Sequence, residues 1–327
     1  MAPHALTGIA ETLLDKTILP GYSKIGYSLR KRWWPADAEP GSLIGKRVVV
    51  TGGSSGLGRA TAAGIAELGA IVHLVGRKAS RLEESAGLIR RDVPTADVVI
   101  EECDVSDLDA VRAWCDDLKG RIGALHGIVH DAGVMPPERT ETAQGHEMAL
   151  ATHVLGPFLM TELLRENLAE EGYARVVWMS SGGMYSAPFT HEVATDLEYR
   201  KGEYNGTRSY ARTKRMQVVV AAMLSERLAG DGIFVHSLHP GWAATPGVTD
   251  SLPGFAKIAK PILRTAEQGA DTAVWLIGSD EAVQTTGQFW QDRRPRPMTF
   301  VPSQLEEAED RQLLWDYCCE ATGVTPA

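Results

Sequence analysis

The stretch RSYARTKRMQ, residues 208–217, sets Tyr210 one helical turn before Lys214. Residues four apart share a helix face, so phenol and ammonium look the same way. A phenol with an unperturbed pKa of about 10 is a poor base near neutrality. An ammonium within ~4–6 Å favours the phenolate and lowers that value by about one to three units. Such a pair could pass a proton to or from a carbonyl or hydroxyl oxygen. On its own the same spacing also suits a solvated helix surface, so other motifs must decide.

The first of these is VVVTGGSSGLGRATAAGIAELGA, beginning at residue 48. Gly52, Gly56 and Gly58 stand where the backbone must turn tightly and approach a pyrophosphate, with Ser54, Ser55 and Leu57 completing the loop. The helix opening near Leu57 aims its N-terminal dipole at that charge. Strand, turn, helix and next strand are all present, which a stray glycine-rich turn would lack.

These loops need a scaffold. Strand-like runs fall at 47–51, 71–75, 98–102, 128–130, 175–180, 234–238 and 287–290, and amphipathic helical segments at 59–68, 108–118, 158–168 and 213–228 lie between them. Strands without polar alternation, separated by helices, predict an α/β doubly wound parallel sheet, a Rossmann fold, with its site at the carboxyl ends of the strands. The expected organisation is an N-terminal extension (1–42), one dinucleotide-binding domain (43–300) and a helical tail (301–327).

The chain has 327 residues and a net charge of −9, which argues against a nucleic-acid partner. No apolar run approaches the roughly 18 residues that cross a bilayer, and the N-terminus lacks the basic region of a signal peptide. Cys103, Cys115, Cys318 and Cys319 show no metal spacing and no secreted framework. Reduced thiols, a cytoplasmic location and no metal are expected.

The glycine spacing T-G-x-x-x-G-x-G resembles the short-chain dehydrogenase/reductase family, and further motifs follow in the family's order over about residues 44–300. CDVSD places Asp104 and Val105 where the family holds the adenine ring. HDAGV puts Asp131, Ala132 and Gly133 where the family has Asn-Asn-Ala-Gly. RVVWMSSGG supplies a strand-end serine, and alignment on the family favours Ser181 over Ser180. HPGWAATP resembles the loop that flanks the nicotinamide, with Pro240, Gly241 and Thr245. The runs SSGGMYS, QGADTAVWL and GQFWQDR resemble a small subgroup similar to dehydrogenase/reductase member 12, which also carries an N-terminal preamble. The resemblance implies that Tyr210 is the general acid/base, that Lys214 tunes it and binds the nicotinamide ribose, and that Ser181 holds the substrate oxygen.

Three positions depart from that pattern, among them His130, which with Asp131 replaces the family's two asparagines. Where the family carries an asparagine three residues before a glycine, this chain has His153; it could relay protons through water or merely fill space. Asp131 replaces an amide that donates and accepts with a carboxylate that only accepts, and a structural role is expected of it.

Cofactor choice is read from IVHLVGRKASRLEE. An NAD enzyme usually carries an acid near the end of the second strand, where it would repel a 2′-phosphate. Here the strand ends Val75, Gly76, Arg77, Lys78, and no acid comes before Glu83. Arg77 can meet a phosphate as a charge-assisted pair, so NADP is expected, with NAD as the lesser alternative.

The function expected is NADP-dependent hydride transfer to or from a small hydrophobic carbonyl or secondary alcohol. A non-catalytic dinucleotide sensor or scaffold on the same fold is the rival, and a homo-oligomer stays open. YSLRKRWWP (27–35) could contact a membrane interface or pack on the domain itself. The polar insertion 186–207 and the segment 246–262 are expected to wall the substrate site.

Overall fold

The structure is a computed structural model that describes residues 21–244, 259–301 and 305–325. Strand β1 (Arg47–Thr51, RVVVT) shows why the sheet is buried on both sides. Val48 and Val50 pack on one face, while Val49 packs on the other. Period-two alternation with apolar residues at every position needs helices above and below.

Those helices are present. The remaining strands are β2 (Ile71–Gly76), β3 (Asp97–Glu102), β4 (Gly127–His130), β5 (Ala174–Met179), β6 (Ile233–Leu238), β7 (Phe289–Gln291) and β8 (Arg294–Arg296). They form one sheet in the order β3-β2-β1-β4-β5-β6-β7-β8, parallel except for the last pair. The helices are α1 (Lys24–Arg30), α2 (Gly56–Glu67), α3 (Ala79–Asp92), α4 (Leu108–Arg121), α5 (Gly156–Leu163), α6 (Gly206–Leu228), α7 (Ala266–Gly278) and α8 (Ala308–Thr322). Helices α4, α5, α6 and α8 share a core with Val49, Ile128, Val176 and Trp178. Helices α2, α3 and α7 share the opposite core with Val48, Val129, Val177 and Leu238. This is the expected doubly wound fold. Strand order reverses between β1 and β4, which opens the crevice where such folds bind ligands.

Three local features differ from expectation. Helix α6 starts at Gly206, seven positions before the apolar periodicity does, because Asn205 caps it by accepting the Arg208 N–H at 2.9 Å. The segment expected as one helix over 158–168 breaks at Leu164, and a short helix, Arg165–Glu171, follows. Strand β8 was not foreseen. It returns through Asp292 and Arg293, both at positive φ (54° and 55°), without the glycine or asparagine that would advertise such a turn.

The described part of the N-terminal extension lies against the body of the protein. Trp34 packs edge-on to Tyr27 with centroids 4.9 Å apart, and the Arg293 guanidinium lies 4.7 Å from the Trp34 ring. Trp275 Nε1 donates to the Ala36 carbonyl at 3.0 Å.

Candidate active site

A cleft of about 770 Å³ runs along the carboxyl ends of β1, β2, β4, β5 and β6. At one end, Gly52, Ser54, Ser55, Gly56 and Leu57 line it where β1 gives way to α2. The turn is too tight for side chains. A Cβ on Gly58 would fall 2.4 Å from the Gly52 oxygen, and Gly52 itself sits at φ +71°. The first turn of α2 therefore presses against the loop and presents backbone N–H groups to the cleft, the geometry that receives a phosphate.

Gly76, Arg77 and Arg81 line the same end of the cleft from β2 and the start of α3. Both arginines are exposed, while Lys78 supplies only the residue that precedes α3. Asp104 and Val105 form the neighbouring wall. The Asp104 carboxylate folds back on its own loop, accepting from Ser106 N at 3.0 Å and Ser106 Oγ at 2.7 Å.

Asp131, Ala132 and Gly133 form the floor beyond β4. Their turn hangs from Thr51 Oγ1, which accepts the N–H groups of Asp131 and Ala132 at 3.0 and 3.1 Å. Burial raises the Asp131 carboxyl well above the usual range, opposed by the Lys214 charge and the Gly58 N–H. His130 points away, with Nε2 2.9 Å from Thr161 Oγ1, and is structural.

Tyr210 and Lys214 project from α6 into the cleft, one turn apart, with the ammonium 5.4 Å from the phenol ring centroid. Lys214 Nζ donates to the Met179 carbonyl at 2.7 Å. Ser181 follows β5 and lines the cleft together with Tyr210; its hydroxyl accepts the Gly183 N–H at 3.1 Å. Ser180 is nearly buried, and its hydroxyl donates to the Lys214 carbonyl at 2.7 Å.

The expected lowering of the phenol pKa is not what this geometry gives. Burial pushes Tyr210 up to about 12; the nearby Ser181 hydroxyl works against this and the Asp131 charge adds to it. Burial likewise lowers Lys214, with Asp131 restoring part of its charge. The ammonium donates to the Met179 carbonyl and feels the Asp131 charge, and burial remains the dominant influence on the phenol, which keeps its proton at neutral pH.

His153 does not line the cleft. It sits one layer behind, on a π-helical turn (Ala151–Leu155) that precedes α5, with its ring edge-on to Tyr210 at 5.5 Å. Such widened turns are frequent at functional sites. Thr245 and residues 246–258 lie outside the described residues. Of the insertion 186–207, Ser186 and Thr207 reach the cleft. Met135, Pro136, His239 and Trp242 also line it, although they were not singled out in the sequence. His239 and Trp242 lie within HPGWAATP and Met135 directly follows HDAGV, which is the signal that could have found them.

Comparison with known proteins accounts for this arrangement. A profile described as short chain dehydrogenase matches residues 46–192. Human dehydrogenase/reductase SDR family member 12 is 38% identical over 299 residues, covering 90% of this chain and 92% of that protein. The chain belongs to the short-chain dehydrogenase/reductase family. It is thus an NAD(P)-dependent oxidoreductase acting on alcohol and carbonyl groups. Human retinol dehydrogenase 12, another family member, is 30% identical over 286 residues, covering 86% of this chain and 88% of its own length. Among solved structures, an uncharacterized protein from Mycobacterium paratuberculosis shares the fold, with a TM-score of 0.70, 23% identity, and 89% of this chain and 99% of that one covered.

Proposed function

We propose that this family member transfers a hydride between NADP(H) and a hydrophobic carbonyl or secondary alcohol. The carrying observation is the Tyr210 phenol, which with Ser181 and Lys214 opens on a cleft that Met135, Pro136 and Trp242 wall with apolar surface. A polar substrate would find few partners on that wall. The retinol dehydrogenases among the relatives act, by their name, on an apolar alcohol.

The residues fit a nicotinamide dinucleotide, because Gly52, Ser54, Ser55, Gly56 and Leu57 line one end of the cleft. The absence of a Cβ at Gly58 lets the first turn of α2 close against the Gly52 oxygen behind them. When bound, the cofactor supplies or accepts the hydride. Gly52, Ser54, Ser55, Gly56 and Leu57 would hold its phosphates. Arg77, joined by Arg81, would meet the 2′-phosphate that distinguishes NADP. Asp104 and Val105 would bound the adenine, and Asp131, Ala132, Gly133, Pro240 and Gly241 the nicotinamide half.

In reduction, Tyr210 gives its proton to the substrate oxygen, and Ser181 donates a hydrogen bond as charge gathers there. In oxidation the same phenol must first be a base. Lys214 supplies the positive charge that favours that form.

The test offers purified protein NADPH and NADH with a panel of apolar and polar ketones and aldehydes, on wild type and Tyr210→Phe. Apolar carbonyls should be reduced, and the Phe variant should lose about 10²–10⁴-fold in kcat/KM while still binding NADPH. Preference for polar substrates, or a Phe variant within about tenfold of wild type, overturns the reading.

A further inference from the structure

The N-terminal extension reaches the active site from below. Tyr22 lies edge-on to His239 with ring centroids 4.5 Å apart, and edge-on to Trp242 at 5.9 Å. The Trp242 N–H donates to the Tyr22 carbonyl at 2.7 Å. His239 Nδ1 in turn accepts the N–H of Gly182, the residue next to Ser181, at 2.8 Å. A Cβ at Gly182 would stand 2.8 Å from Tyr22 Cε2 and 2.9 Å from His239 Nε2. Tyrosine ring, imidazole and serine turn are therefore stacked without a gap. Burial, with the Arg264 charge, holds the His239 pKa down to about 3, so the imidazole remains an acceptor at ordinary pH.

A buried ion cluster grips the same region. Arg264 meets Asp292 through two hydrogen bonds of 2.6 and 2.9 Å, and Arg30 meets it at 2.8 Å. Backbone carbonyls extend the cluster. Arg30 and Arg264 both donate to Gly21 O, at 2.9 and 3.3 Å, and Arg264 donates to Pro240 O at 3.3 Å. The cluster thus joins the extension, the loop after β6 and the β7–β8 turn. Gly241 lies so close that a Cβ would fall 2.3 Å from Arg264 Nε. Backbone bonds from Arg264 N to Trp242 O (2.8 Å) and from Ala244 N to Arg264 O (2.9 Å) complete the joint.

Burying three charges costs desolvation that apolar packing would avoid, so stability alone does not explain the cluster. Its position does. It ties the extension to the loop after β6, which lines the cleft, and anchors both to the β7–β8 turn.

We propose that Tyr22 and Arg30 are positioning residues of the active site. Through His239 and Gly182 the extension sets Ser181, and through Arg264 it sets the 239–244 loop that lines the cleft. The catalytic half of this rests on the carbonyl-reducing reading above; the positioning half does not.

Full-length Tyr22→Ala, Tyr22→Phe and Arg30→Met are compared with wild type by amide hydrogen exchange over 180–184 and 241–244, with β3 as the internal reference. In Tyr22→Ala and Arg30→Met, exchange at Gly182 and Trp242 should quicken by ~5-fold or more while β3 stays unchanged. Tyr22→Phe, which keeps the ring, should behave as wild type. With a carbonyl that wild type reduces, kcat should fall ~10-fold in the two disruptive variants while KM for NADPH holds within ~2-fold. Unchanged exchange in both segments, a rise shared equally by β3, or an unchanged kcat overturns the proposal. If wild type reduces no carbonyl, the proposed reaction fails, and the exchange measurement still decides the positioning.

Discussion

His153 Nε2 accepts the backbone N–H of Val134 at 3.0 Å, pinning the π-helical turn to the loop after β4. Its Nδ1 lies 2.8 Å from Thr213 Oγ1. The Thr213 hydroxyl proton is directed to the Ser209 and Tyr210 carbonyls, so the histidine donates from Nδ1. Both ring nitrogens are engaged, and burial, together with the Lys214 charge, keeps the ring neutral. His153→Asn can recover part of this pairing; His153→Leu leaves the part-buried Val134 N–H without its acceptor, at about 1–3 kcal/mol, and removes a donor from Thr213 Oγ1. Asn should therefore retain more activity and a higher melting temperature than Leu, with the pH–rate profile unshifted between pH 6 and 8. A limb near neutrality that vanishes in the Asn variant would restore the relay reading.

The two serines after β5 should separate cleanly. Ser181 Oγ reaches Tyr210, whereas Ser180 Oγ is committed to the Lys214 carbonyl. Ser181→Ala should cost about 10²–10³-fold in kcat, the usual size for a lost donor to a developing oxyanion. Ser180→Ala should mainly cost stability, about 0.5–1.5 kcal/mol, because one buried hydrogen bond is lost while the Lys214 carbonyl keeps its helical partner. Reversed kinetic effects would reassign the role.

Much of the site was legible because its chemistry is carried by short motifs of fixed spacing. Gly52, Gly56 and Gly58 announce a turn that no other residue can make, and Tyr210 and Lys214 share a face by helical geometry alone. What stayed hidden is the tertiary environment. The phenol pKa depends on how deeply Tyr210 is packed, which spacing does not reveal. Nor does any local signal in Tyr22 or Arg30 show that each will meet partners more than 200 positions away, at His239 and Asp292. The β7–β8 turn was missed for a similar reason: Asp292 and Arg293 adopt positive φ because the Arg30 and Arg264 pairs hold Asp292 there, not because their types favour it.

Acid should destabilise the fold through its buried imidazoles. Burial lowers His130 and His239 to about 3, and His153 well below its ordinary value. An unfolded histidine titrates near ~6.5. Between about pH 6.5 and 3 the unfolded chain binds protons that the folded chain refuses, so stability is full above that window and falls as pH drops. At pH 5 each imidazole accounts for about 2 kcal/mol. The raised Asp131 carboxyl works the opposite way and offsets part of this. Denaturant midpoints at pH 7.5 and 5 should show the loss, and His130→Gln should flatten it. An equal midpoint at the two pH values would contradict the burial of these rings.

Cofactor choice should follow Arg77. It lines the cleft beside Gly76, with Arg81 close by and no carboxylate before Glu83. A hydrogen bond to a charged phosphate contributes about 1.5–3 kcal/mol, roughly 10–100-fold in binding. Arg77→Ala should lower kcat/KM for NADPH by about that factor and leave NADH nearly unchanged. A wild type that prefers NADH, or a ratio that Arg77→Ala does not move, would refute NADP selection.

The pH dependence of the two reaction directions should diverge because Tyr210 starts as an acid. Burial holds its phenol near 12 and its proton in place at neutral pH, so reduction finds the donor already loaded. Oxidation needs the phenolate, whose population rises about tenfold per pH unit below the pKa. An oxidised nicotinamide held in the cleft would bring a positive charge that lowers this pKa, shortening the climb without removing it. Reduction measured with saturating NADPH should thus be flat from pH 6 to 9, while oxidation with NADP⁺ increases across the same range. The Tyr210→Phe variant should lose both the rate and the slope. If reduction instead declines through pH 7–9, the proton comes from a weaker-held group than Tyr210, and the assignment of the acid is wrong.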